Sequence, residues 1–120
     1  MTSVAALLVA LVALLHVGFA VLEMLLWDKP TGRRVFGTSR EQAAETKVLA
    51  ANQGLYNLFL AAGLVWALWL GPAAAGRPIA IFFTGCVVVA GLFGAATVSR
   101  SILFVQALPG ALAMAAVLAV

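Results

Sequence analysis

The chain has 120 residues, 65% of them hydrophobic and 9% charged. A soluble domain of this size leaves too much of its surface in water to hide that much apolar area, so lipid is the solvent for most of it. The formal net charge is +3, but the basic residues gather between the first two apolar runs without aromatic interleaving, which excludes a nucleic-acid partner and reads as a topology signal in contact with anionic headgroups.

The length allows about four spans of ~20 residues with short connections. The expected fold is all-α, an integral membrane four-helix bundle forming a single domain over residues 1–120. The first span covers residues 4–27, with Trp27 as an interface anchor. It lacks a basic n-region and is too long for an h-region, so it reads as a span and not as a cleaved leader. The loop 28–46 opens on Asp28-Lys29-Pro30-Thr31-Gly32, a turn in which Pro and Gly break the helix. Thr38-Ser39-Arg40-Glu41-Gln42 offers two overlapping capping boxes, Thr38 with Glu41 or Ser39 with Gln42. A long second helix therefore starts in this loop, enters the membrane near residue 47 and ends at Leu70 before Gly71-Pro72. At 1.5 Å per residue it is about 45 Å long.

Pro78 opens the third span, 78–98, which carries the small-residue pairs Ala90 with Gly94 and Gly91 with Ala95. Cys86, the only cysteine, lies in this apolar run and excludes an intrachain disulfide. After the short connection Ser99-Arg100-Ser101, the last span covers residues 102–120, where Pro109 is expected to kink the helix and free the carbonyl of Val105 beside Gln106. Lys29, Arg33, Arg34, Arg40 and Lys47 lie between spans one and two and Arg100 between three and four, against Arg77 alone between two and three. This asymmetry puts both termini outside and the first loop in the cytoplasm.

Polar side chains within the spans are the handle on function. Glu23 and His16 interrupt the first span seven residues apart, nearly the same helix face two turns on. Counted from the cytoplasmic ends, Glu23 lies about 6 Å deep, Asn52 and Gln53 about 7–9 Å and Gln106 about 6 Å. A second level holds His16 at about 16 Å, with Tyr56 and Asn57 at about 14–15 Å. An acid in lipid needs hydrogen-bond donors, and carboxamides supply them. Two readings follow: adhesion between helices through hydrogen bonds, or a polar cavity opening toward the cytoplasm. No nucleophile elbow, phosphate loop, zinc motif or CxxC accompanies these groups. His16 and Glu23, about 10.5 Å apart along the helix, are poor joint metal ligands. A single intramembrane His16 is equally thin ground for haem, so no metal is expected and no cofactor is named.

The stretch His16…Glu23…Trp27, the loop Val35-Phe36-Gly37, the run Asn52-Gln53-Gly54-Leu55-Tyr56-Asn57 followed by Leu60-Ala61-Ala62-Gly63-Leu64, and Gln106-Ala107-Leu108-Pro109 together resemble the domain of unknown function 1304 family of small bacterial integral membrane proteins. Ala107 stands where the family's pattern has Gly. The resemblance implies a four-span protein of the bacterial cytoplasmic membrane and lends weight to His16, Glu23, Asn52, Gln53, Asn57 and Gln106. It implies no reaction or substrate.

The combined expectation is a polar pocket between the first, second and fourth spans that binds or passes a small, apolar molecule. Glu23 is its central acid, Asn52, Gln53 and Gln106 form its shell, and His16 with Tyr56 and Asn57 makes a deeper contact. The alternatives are a membrane-embedded isomerase or hydrolase using Glu23 and His16 for proton transfer, and an accessory subunit or homodimer joined through the small-residue face of the third span.

Overall fold

The computed structural model describes residues 2–120. Its elements are α1 (Thr2–Met24), α2 (Pro30–Phe36), α3 (Arg40–Leu70), α4 (Arg77–Thr97) and α5 (Leu108–Leu118), with π-helical turns at Gly71–Ala75 and Leu103–Ala107. The fold is an all-α helical bundle, and no strand occurs among the described residues. Three helices are long and apolar enough to cross a membrane: α1, α3 with its π-helical continuation to Ala75, and α4. The last apolar segment, Leu103–Leu118, is shorter. The chain divides into two compact units, one comprising residues up to Leu14 with Leu60–Val120, the other Leu15–Phe59.

In the first unit, four helical segments close on one core. Val9 and Val12 of α1 meet Leu64 and Ala67 of α3, Ala80 and Val87 of α4, and Ala113 and Val117 of α5. The core is built from small and β-branched side chains, which lets helix backbones approach closely. Gly91 is the clearest case. A Cβ there would stand 2.5 Å from the backbone nitrogen of Ala107. Gly94 abuts Ile102 in the same way, a Cβ falling 3.1 Å from Ile102 Cγ2. The small residues of the third span thus seat the chain's own Leu103–Ala107 turn.

That turn answers to Pro109. A proline has no N–H to give and its ring crowds the carbonyl four residues back. The chain responds by widening the preceding turn: the Leu108 N–H reaches the Leu103 carbonyl, five residues back. At the corner between α3 and α4, Gly71 adopts φ 92°, which an L side chain resists. Arg77 then donates from Nη2 to the Leu118 carbonyl at 3.1 Å, meeting an orphan acceptor at the negative end of α5. Large apolar side chains such as Leu7 and Trp69 (70% and 87% exposed) lie at the surface, the distribution that suits helices in an apolar solvent.

The second unit is a helical hairpin with a short helix at its tip. α1 stops at Met24, and residues 25–29 turn the chain. Sequence reading takes Pro30 and Gly32 as breakers in a loop; the structure instead places them in α2. Proline suits a first helical turn because that N–H has no intrahelical partner anyway. Gly32 is buried because the Leu26 carbonyl oxygen lies where a Cβ would point, 1.9 Å away. Gly37, at φ 67°, ends α2 in the left-handed conformation.

Of the two capping boxes, the chain uses Ser39 with Gln42. The Ser39 N–H donates to Gln42 Oε1 at 3.0 Å, and the Gln42 N–H donates to Ser39 Oγ at 3.1 Å. The tip is pinned to α3 by Trp27 Nε1, which donates to Thr46 Oγ1 at 3.0 Å, and by the Lys47–Asp28 ion pair at 3.0 Å. The Lys47 ammonium, hydrogen-bonded to Asp28, holds that carboxyl below the usual range. The Trp27 ring also tilts against Phe36, with centroids 4.7 Å apart.

Candidate functional site

The hairpin positions its polar groups through one packed seam. On α1 the buried residues His16, Ala20 and Glu23 recur at the spacing of a single helix face. On α3, Ala43, Ala50 and Gly54 are buried and Asn57 is half-buried, again one face. At Gly54 the helices come closest, since a Cβ there would lie 2.4 Å from Met24 Cγ and 3.2 Å from Glu23 Cβ. One turn further along α3, Asn57 Nδ2 donates to Glu23 Oε1. Glu23 is 4% exposed, so this carboxamide meets it away from solvent. His16 is fully buried and packs edge-to-face on Phe19, with ring centroids 5.1 Å apart.

Among the candidate residues the structure hydrogen-bonds Asn57 to Glu23, across the two expected layers. Glu23 meets Asn57, which depth counting had grouped with His16. Asn52, Gln53 and Tyr56 are exposed on α3. Gln106 is half-buried in the π-helical turn of the other unit.

What separates Asn57 from its neighbours is the face of α3. Glu23 and Met24 lie beside Gly54, so Asn52 and Gln53 are within two residues of that level, yet both are exposed. The end of α1 is a widened turn, in which the Leu25 and Leu26 N–H groups both reach the Val21 carbonyl, at 3.0 and 3.2 Å.

A signal in the sequence could have singled out Asn57. Ala43, Ala50, Gly54 and Ala61 repeat at intervals of seven, four and seven residues, a small-residue stripe that marks the packing face. Asn57 falls on that stripe, whereas Asn52, Gln53 and Tyr56 fall beside it.

Chemically, the couple is an acid held by an amide donor. The carboxamide still has a carbonyl acceptor and a second N–H, and the carboxyl a second oxygen, so the pair retains hydrogen-bonding capacity for a third group. Among the described residues no three His, Cys, Asp or Glu side chains converge as a metal site would require. Elsewhere, in the first unit, an open groove of about 260 Å³ runs between α4 and the Leu103–Ala107 turn, lined by apolar side chains including Val88, Leu92 and Phe104.

Fold and site together define a small all-α protein with three helices long and apolar enough for a membrane and a carboxyl–carboxamide couple in a helical hairpin. The family model described as "Protein of unknown function (DUF1304)" matches residues 10–118, and the chain belongs to that family. No curated protein and no solved structure matches it.

Proposed function

We propose that this is a four-span protein of the bacterial cytoplasmic membrane, with both termini outside, whose hairpin binds or passes a small lipid-soluble molecule at Glu23 and Asn57. The observation that carries the proposal is the burial of an acidic side chain in a helix of spanning length against a single amide donor. An acidic group costs up to about 2.5–3.5 kcal/mol at the centre of a span on insertion scales, and less toward a helix end such as that of Glu23 in α1. One amide donor uses only part of what the couple offers, and a ligand's polar end would use the hydrogen-bonding capacity that remains on both groups. The basic loop around α2 favours the cytoplasmic side for the hairpin's tip. His16, buried on the same face of α1, would line the deeper part of the path.

Catalysis by Glu23 and His16 is the weaker reading. Their positions lie about 10.5 Å apart along α1, so a proton passing between them would need a carrier.

The test is native mass spectrometry of protein released from membranes in mild detergent. Wild type is expected to carry a small-molecule adduct and to be stabilised thermally by it. Glu23→Gln and Asn57→Ala should lose both while keeping wild-type helicity by circular dichroism. An adduct retained by Glu23→Gln would remove Glu23 from the ligand site.

A further inference from the structure

We propose that the exposed face of α3 is the interface of a parallel homodimer, with Asn52 of each copy paired across a two-fold axis along the membrane normal. The inference rests on the membrane embedding proposed above and is independent of the ligand site.

The argument starts from depth. Trp27, an interface anchor, is hydrogen-bonded to Thr46. Asn52 and Gln53 lie six and seven residues further along α3, about 9–10 Å below that level at the helical rise. The hydrocarbon core is about 15 Å deep from either side. Both carboxamides are exposed, so they would sit in hydrocarbon, where an unsatisfied amide is expensive.

The surroundings form a seam. Leu49, Asn52, Tyr56 and Phe59 are all exposed and follow one another at intervals of three, four and three residues, the spacing of a coiled-coil contact line. Tyr56 and Phe59 already stack edge-to-face, their centroids 5.7 Å apart. At 100° per residue this seam lies roughly 160° around α3 from the small-residue stripe that packs against α1. The helix thus has a second organised face besides the one its own chain covers.

The occupant follows from the chemistry of the amide. A carboxamide is donor and acceptor at once, so it is complementary to a copy of itself. Two copies inserted with the same orientation are related by an axis along the membrane normal, which brings equivalent residues of α3 face to face. A lone Asn on such a seam fixes register and copy number. The close approach permitted by Gly91 and Gly94 is already used within the chain, so α3 and not α4 presents the free polar line.

Single cysteines introduced at positions 49 to 60 in a Cys86→Ala background, oxidised in native membranes, test this directly. Dimer bands are expected to peak at Leu49→Cys, Asn52→Cys, Tyr56→Cys and Phe59→Cys and to be minimal at Leu58→Cys, on the other side of the helix. In detergent, Asn52→Leu should weaken dimerisation by about threefold to tenfold, the loss of one interhelical hydrogen bond. Cross-linking that is absent everywhere, or that peaks on another face, overturns the dimer. A chain recovered in the soluble fraction without detergent would instead overturn the membrane embedding on which it rests.

Discussion

Asn57→Ala is the most direct perturbation of the hairpin. Its carboxamide donates to a carboxyl that is 4% exposed, and a buried polar group left without its partner costs about 1–3 kcal/mol. In lipid the unfolded helices find substitute partners, so the pairwise part of that loss is about 0.6–1.7 kcal/mol. We expect Asn57→Ala to destabilise by about 1–2 kcal/mol. A double-mutant cycle with Glu23→Ala should return a coupling of about 0.6–1.7 kcal/mol. Unfolding in mixed SDS micelles, followed by tryptophan fluorescence, provides the assay. The same cycle between Glu23 and Gln53, which is exposed, should give a coupling within about 0.3 kcal/mol of zero. Additivity at Asn57 together with coupling at Gln53 would refute the facing of the hairpin, since it would put Gln53 and not Asn57 on the side of α3 that meets α1.

Two glycines should respond to alanine with opposite signs. Gly91→Ala places a Cβ 2.5 Å from the Ala107 backbone; overpacking of about 1–3 kcal/mol outweighs the ~1 kcal/mol gained in helix propensity, so its thermal midpoint should fall. Gly18→Ala meets nothing within 4 Å and should stabilise by about 0.5–1 kcal/mol; the same sign for both would contradict the packing described. Asp28 has a lowered carboxyl pKa in the folded state because of Lys47, so its stabilisation is fully present above the unfolded carboxylate value of about 3.9 and is lost as pH falls through the folded value. Wild type should therefore lose its Tm advantage over Asp28→Asn in acid, and a gap independent of pH would exclude the ion pair as its source. Ser39→Ala removes the cap of α3 and should cost about 1 kcal/mol, whereas Thr38→Ala should leave the helix start intact in hydrogen exchange.

Composition and apolar runs of spanning length were enough to place the chain among all-helical proteins, because so much apolar area in so few residues calls for a lipid solvent, where a helix satisfies its own backbone. Caps and breakers then located most helix ends to within a residue or two. Ser39 with Gln42, Gly71-Pro72 and Pro78 each act through local backbone chemistry that a sequence displays. The short helix α2 escaped because Pro30 is as fit to begin a helix as to end one, and only the Leu26 carbonyl against Gly32 decides between them. At the site, the polar residue types were legible and their partners were not. Pairing depended on which side of α3 meets α1: Asn57 lies on it, while Asn52, Gln53 and Tyr56 are exposed. The face of α3 that binds α1 was written in Ala43, Ala50, Gly54 and Ala61, yet an alanine stripe is quiet beside the louder Asn52-Gln53 motif.

Glu23 and Asn57 both lie in the stretch Leu15–Phe59, and the ribosome completes that stretch before it begins α4. A nascent chain therefore carries the acid's partner on the very next spanning helix to emerge, with only the short α2 between. Part of the cost of admitting an acidic side chain to lipid would be relieved if α1 and α3 entered as a pair, with no contribution from residues not yet translated.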